Sequence, residues 1–266
     1  MELHFRSLGS GPALILLHGL LGSLDNWLPL GRQFAEHFTV LAVDQRNHGL
    51  SPHSNEFGYD LMAHDLHQFM HAQGLTTAHL LGHSMGGKTA MQFALLYPDQ
   101  VEKLVVVDMA PRAYAPVHTE ALAALQALDL ETHQRREDFD EALATQVPDA
   151  ELRQFLLKNL RRDMAGAFHW KVNLPAIWEN YLHLNAALSV EGKFSKPSLF
   201  LRGGKSDYVQ DTDLELIRQF FPEAELRTIP EAGHWVHADE PEAFLGCVMS
   251  FLAADERKET TPAKLL

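Results

Sequence analysis

The chain has 266 residues, a net charge of −13, 46% hydrophobic residues and a single cysteine, Cys247. Its length and apolar content suit one large domain with a sizeable core and room for an inserted subdomain. The acidic balance argues against a nucleic-acid binder or a protein held on an anionic membrane, since both need clustered Lys and Arg. A lone cysteine allows no intramolecular disulfide and agrees with a reducing, cytoplasmic setting.

Met1 to Arg6 lack a basic stretch followed by an apolar one, so no signal peptide is expected. No apolar run approaches ~20 residues, so no membrane span is expected. Ala13 to Leu17 and Thr39 to Val43 are short, unbroken apolar runs of the kind buried on both faces of a sheet, and Trp27 to Phe38 between them reads as a helix. A third run, Ala78 to Leu81, precedes a helical segment from Gly87 to Tyr97; a fourth, Leu104 to Val107, follows it. Strand and helix alternating at this spacing predict an α/β fold, with a mostly parallel sheet covered by helices on both faces. From Val117 to Asn185 the pattern becomes helical without a clear strand, with apolar periodicity over His118 to Leu130, Asp138 to Val147, Asp149 to Arg162 and Pro175 to Leu184. Strand signals return at Ser198 to Leu201 and Glu225 to Ile229. This predicts a core domain of residues 1–111 and 196–266, interrupted by a helical cap of residues 112–195 over the active-site edge. The polar tail from Ala254 to Leu266 is expected to fray.

Between the third strand and its helix lies Gly82-His83-Ser84-Met85-Gly86, a G-x-S-x-G turn. A serine on a strand-turn-helix corner is lifted clear of the sheet beside a helix N-terminus, where backbone N–H groups stabilise negative charge. Its hydroxyl needs a base. Of sixteen histidines, His234 follows the last strand signal by a short glycine-containing loop, which in a parallel sheet puts it at the same carboxyl edge as Ser84. His237 is the runner-up and reads as structural. The base needs a carboxylate to hold its tautomer. Asp108, at the end of the Leu104–Val107 strand, and Asp207, just after Ser198–Leu201, both fit the order Ser…Asp…His.

Four ordered segments carry a resemblance: His18-Gly19-Leu20-Leu21-Gly22, Asp44-Gln45-Arg46-Asn47-His48-Gly49-Leu50-Ser51, Gly82 to Gly87, and Ala232-Gly233-His234 followed by Pro241. The chain resembles capped serine α/β-hydrolases, most closely the YbfF-type esterases, which are similar to the mammalian abhydrolase-11 proteins. The resemblance implies an α/β-hydrolase fold with an inserted helical cap and no cofactor. It also implies an oxyanion hole made by the backbone N–H groups of Leu20 and Met85. The family's acid loop reads Gly-x-x-Asp-x-x-Val. Counted from Gly204, Asp207 takes the acid position but Val209 comes one residue early; counted from Gly203, Val209 fits and Ser206 takes that position. The second register favours Asp108 as the acid, with Ser206 as an auxiliary hydrogen-bonding to it; Asp207 is the alternative.

Asp44, Arg46 and His48 read as bracing groups beside the active-site edge. His64, His67 and His71 share a helical face, but Leu66, Phe69 and Met70 mark the buried side, so the histidines read as solvent-facing and no metal is expected. Lys158, Arg161, Arg162 and Lys171 form a locally basic group, read mainly as a solvated face and alternatively as a seat for an anionic substrate tail. Phe168, Trp170, Trp178 and Tyr181 read mainly as cap packing. The expected activity is hydrolysis of small-molecule short- to medium-chain acyl esters or acyl thioesters, acyl-CoA included, through an acyl-enzyme. Carbon–carbon bond hydrolysis and perhydrolysis use the same groups. Some proteins of this fold only bind ligands, and a complete Ser–His pair argues against that reading.

Overall fold

Residues 1–133 and 135–253 are described by the computed structural model; the predicted fraying of 254–266 lies outside them. The first part of the chain runs β1 (Phe5–Leu8), β2 (Ala13–Leu17), α1 (Leu28–Phe34), β3 (Thr39–Val43), α2 (Tyr59–Ala72), β4 (Ala78–His83), α3 (Met85–Leu96) and β5 (Val101–Val107). β1 is not foreseen by the sequence reading. Phe-Arg-Ser-Leu has no apolar run, because this edge strand is only partly buried and pairs antiparallel with β3 on one side.

After β5 come α4 (Thr119–Ala127), α5 (Arg136–Leu143), α6 (Ala150–Leu157), β6 (Leu160–Arg162), β7 (Phe168–Trp170), α7 (Leu174–Glu179) and α8 (Tyr181–Asn185). The helix expected over Asp149 to Arg162 stops at Leu157, and a small antiparallel hairpin, β6–β7, corrects the all-helical expectation. Asn159 explains the stop. Its side-chain amide donates to the Leu156 carbonyl (3.2 Å) and to the Leu21 carbonyl (2.7 Å), while its own carbonyl accepts from Lys171 N (2.7 Å). An Asn that satisfies free carbonyls at a helix end redirects the chain.

The chain returns through β8 (Ser198–Gly203), α9 (Asp213–Phe220), β9 (Ala224–Ile229), α10 (Val236–Asp239) and α11 (Pro241–Leu252). The main sheet has the order β1-β3-β2-β4-β5-β8-β9, and every pairing except β1–β3 is parallel. The unbroken apolar runs are explained by two-sided burial. In β2, Ile15 and Leu17 enter one core cluster with α2 and α3, whereas Leu14 and Leu16 enter another with α1 and α11. β5 divides likewise, Leu104 and Val106 to the first side and Val105 and Val107 to the second. A third cluster joins Leu122, Phe139, Leu156 and Phe168 of the inserted segment to Leu21, Met62 and Met85 of the sheet region. Among the described residues no helix is long and apolar enough to cross a membrane.

Parallel pairing decides where the site lies. β4, β5 and β8 are adjacent and point the same way, so the residues after them gather at one edge. The ladder continues past the strand ends: Ser84 N donates to Val107 O (3.1 Å) and Asp108 N to Leu201 O (2.8 Å).

Candidate active site

Ser84 caps α3 with φ 53° and ψ −116°, a conformation that costs a non-glycine residue about 1–3 kcal/mol. The flanking glycines make the corner sterically feasible. A Cβ on Gly82 would lie 2.1 Å from the Gly86 carbonyl oxygen, and one on Gly86 would lie 2.4 Å from that of Leu17. Helix against strand therefore leaves no room for a side chain at either position, as the sequence motif implies.

His234 follows β9, and its Nδ1 lies 2.8 Å from Asp108 Oδ2. Facing a carboxylate, Nδ1 carries the proton and Nε2 is left as the acceptor. Asp108 is fully buried and takes φ 49°. Gly203 N donates to its Oδ1 (3.1 Å), and the Ser206 hydroxyl donates to the same Oδ2 that holds His234. Asp207 is exposed, and its backbone carbonyl, not its carboxylate, is engaged, accepting from Arg112. The geometry thus joins His234, Asp108 and Ser206 by hydrogen bonds, puts Ser84 and His234 in the wall of one pocket, and leaves the Asp207 carboxylate apart.

The N–H groups of Leu20 and Met85 hold no hydrogen-bond partner among the described residues. Met85 opens α3, where the first N–H groups have no intrahelical acceptor. The Leu20 turn is held by a buried polar frame. Leu21 takes φ 59°, and its N–H donates to His48 Nε2 (3.1 Å). His48 Nδ1 donates to the Arg46 carbonyl (2.9 Å). His18 Nδ1 donates to the Gly19 carbonyl (2.8 Å), and its Nε2 accepts from Gln45 N (3.0 Å). Each ring must keep one bare nitrogen to play its part, and burial ensures this by disfavouring the imidazolium: His18 is shifted down, and His48 falls to about 3. Asp44 accepts from Leu24 N (2.7 Å) and Leu50 N (2.9 Å), and Arg46 pairs with Asp65 at 2.5 Å. Asp44, Arg46 and His48 therefore brace the loops.

One pocket is lined from both sides. The sheet edge contributes Gly19 to Gly22, Asn26, Trp27, His83, Ser84, His234, Trp235 and His237; the inserted segment contributes His118, Ala121, Leu152, Phe155 and Leu156. Phe155 packs edge-on to Trp235 with ring centroids 4.1 Å apart. His237, stacked on Trp27 at 4.5 Å, is pushed to about 3, chiefly by burial and then by His234. His83 lies well below its ordinary range for the same leading reason, and its Nε2 donates to the His234 carbonyl (2.9 Å).

The remaining groups do not converge on the pocket. His64 and His71 are exposed, while His67 stacks on Tyr97 at 4.3 Å and bonds Gln100. Lys158, Arg161, Arg162 and Lys171 do not line it, and Arg162 lies over the Phe168 ring. Phe168 and Tyr181 are buried in the third cluster, with Trp170 packed against it, whereas Trp178 is 40% exposed.

Several site residues escape sequence reasoning. Tyr208 stacks on the His234 ring at 3.8 Å, and His118 reaches the Tyr208 hydroxyl at 3.3 Å. Tyr208 stands at a variable position of the acid loop and His118 lies outside every motif. Lys88, on α3 and almost fully buried, donates to the Ala186 carbonyl just after α8. Burial lowers its pKa to about 8. A lysine inside an apolar helix was the available signal there.

A mostly parallel sheet, a strained serine at the head of a central helix, and a histidine on a buried aspartate are the marks of the α/β-hydrolases. Residues 12–241 match the α/β-hydrolase fold family, and the chain belongs to it and is a hydrolase. Among its relatives, the mouse sn-1-specific diacylglycerol lipase ABHD11 is 43% identical over 91% of this chain and 81% of its own length. The Escherichia coli K12 esterase YbfF is 36% identical over 90% and 92%. A solved marine microorganism esterase superposes with a TM-score of 0.92 at 42% identity, covering 94% of this chain and 99% of that one.

Proposed function

We propose that this hydrolase cleaves carboxylic esters of short- to medium-chain acids, acyl thioesters included, with Ser84 as nucleophile, His234 as base and Asp108 as the acid. The observation that carries this reading is the His234 Nδ1–Asp108 Oδ2 hydrogen bond of 2.8 Å at the edge of the pocket that holds Ser84. Relatives named esterase and lipase support the substrate class.

Ser84 Oγ attacks the ester carbonyl carbon while its proton passes to His234 Nε2. The carbonyl oxygen becomes an oxyanion held by the N–H groups of Leu20 and Met85. The imidazolium protonates the leaving alcohol or thiol as the carbon–heteroatom bond breaks. Water then gives its proton to His234 and attacks the acyl-enzyme, and collapse releases the acid and restores Ser84. Asp108 stabilises the imidazolium at each stage, and the Ser206 hydroxyl holds the carboxylate in place. In this reading residues 112–195 form a cap on a core of 1–111 and 196–266, and Phe155 against Trp235 limits chain length. The single cysteine supports a cytoplasmic site of action.

The test is hydrolysis of p-nitrophenyl esters from C2 to C16 by the wild type and Ser84→Ala. Activity with an optimum at the short end, falling about 10⁴-fold or more in Ser84→Ala, is expected. Activity that survives the substitution removes Ser84 from the mechanism.

A further inference from the structure

One hydrogen bond does not fix an imidazole. Asp108 holds His234 at Nδ1, and the His83 ring lies 4.7 Å away but tilted by 46°, so neither contact lies flat against the imidazole. A second restraint comes from a residue absent from the pocket wall: Tyr208, whose ring lies parallel to that of His234 at 3.8 Å and 21°. Tyr208 is itself firmly placed. Its N–H donates to Ser206 Oγ (3.2 Å), and its carbonyl accepts from the Tyr114 hydroxyl (2.8 Å) and from Arg112 (3.1 Å). The far end of its side chain touches the inserted segment, because the hydroxyl lies 3.3 Å from Nε2 of His118. His118 sits at the cap position of α4 and lines the pocket, and its N–H donates to the Tyr181 hydroxyl (2.9 Å). It is therefore tied to both α4 and α8.

We propose that Tyr208 and His118 form a latch through which seating of residues 112–195 sets the orientation of the His234 ring, making both of them positioning residues for the reaction. The proposal rests on the reading of His234 as the base. When the inserted segment is seated, the phenol donates to His118 and the aromatic ring is held flat against the imidazole. When the segment lifts, the phenol loses its acceptor and the ring loses that restraint. Burial supports this donor–acceptor sense, raising Tyr208 to about 12 and lowering His118, so a neutral phenol meets a neutral imidazole. The latch ties chemistry to a closed pocket, so water-exposed encounters are less productive than enclosed ones.

A double-mutant cycle with Tyr208→Phe and His118→Ala tests this, with kcat and KM measured on p-nitrophenyl butyrate and folding checked by thermal melting. Tyr208→Phe keeps the stack and removes only the hydroxyl. Each single variant is expected to lower kcat about fivefold with KM changed by less than about twofold, and the double variant to be no worse than either single. His118→Gln, which restores an acceptor, is expected to recover most of the loss. Tyr208→Leu, which removes the stack, is expected to lower kcat further and to shift the acidic limb of the kcat/KM pH profile. Additive losses, losses confined to KM, or no loss at all would overturn the latch. Ser84→Ala and His234→Ala, run alongside, separate the two failures: if both still abolish turnover, the base assignment stands and only the latch falls.

Discussion

The two walls of the pocket are held by different physics. On the sheet side, positions follow from backbone sterics and buried polar bonds. Ser84 is forced to its corner by Gly82 and Gly86, and Asp108 is held by the Gly203 N–H and the Ser206 hydroxyl. The segment 112–195 is held by apolar packing against Leu21, Met62 and Met85, by backbone bonds such as Asn173 N to Asn47 O (2.9 Å), and by side-chain bonds, several of them from the sheet side to its backbone carbonyls. Tyr59 Oη donates to Leu184 O (2.6 Å) and Lys88 donates to Ala186 O, while in the other direction Asn159 reaches back to Leu21 O. A wall defined by sterics has one arrangement. A wall held by side-chain packing and single bonds has more ways to rearrange, and under the proposed reading this is the wall that would admit substrate.

Substitution at the two aspartates sharpens this contrast most. Asp108→Asn keeps the shape but removes the charge that sustains the His234 tautomer, and kcat is expected to fall about 10⁴-fold. Asp207→Asn, at an exposed side chain, is expected to stay within about twofold of wild type. The kcat of the two variants on one ester decides it, and reversed effects would place the acid on Asp207.

Glycine replacement breaks the same comparison through stability. Gly86→Ala drives a Cβ into the Leu17 carbonyl and is expected to cost about 3 kcal/mol or more. At Gly246, in α11, nothing lies within 4 Å of the added carbon, so Gly246→Ala is expected to stabilise by up to about 1 kcal/mol. Urea unfolding of both variants gives the two numbers.

Acid is the third lever, and it acts mainly on the sheet side, although burial lowers His118 of the segment 112–195 as well. His48 and His237 titrate near 3 in the folded chain, His79 near 4, and His18 and His83 are also lowered, against about 6.5 unfolded. The unfolded chain therefore binds more protons than the folded one below pH 6.5. Stability is complete above that pH and falls as pH drops towards the folded values, by at most about 1.4 kcal/mol per pH unit for each such histidine. Urea midpoints are expected to decline steeply between pH 6.5 and 4, and His48→Gln is expected to make the decline shallower. A flat profile would show these rings to be charged in the folded state.

The smallest effect tests the looser wall. Asn159→Ala removes the bond to Leu21 O and is expected to cost about 1–2 kcal/mol. It is also expected to raise the rate of proteolytic cleavage within 112–195 more than within the sheet. Equal increases in the two regions would mean the segment does not open separately.

Much of this molecule was legible before folding. The unbroken runs at Ala13–Leu17 and Leu104–Val107 could only be strands covered on both faces, and a serine between Gly82 and Gly86 at a strand–helix junction had to sit in a strained turn. Local sterics and burial dictate both. β1 was silent because a half-exposed edge strand needs no apolar run, and the β6–β7 hairpin was hidden because Asn159 ends the helix partly by bonding Leu21, far away in sequence. Spacing favoured Asp108 over Asp207 only through the choice of loop register, because both follow neighbouring parallel strands; in the packed loop the Asp108 carboxylate is buried and Asp207 is exposed. Neither Tyr208, at a variable position of the acid loop, nor His118 was singled out, since a ring stack and a single hydrogen bond between segments 90 residues apart leave no local trace. Sequence determined the buried parallel strands, the corner and the edge at which the site forms, because those depend on neighbours along the chain. The partner of each polar group was decided by tertiary structure alone, because hydrogen bonds depend on distance in space.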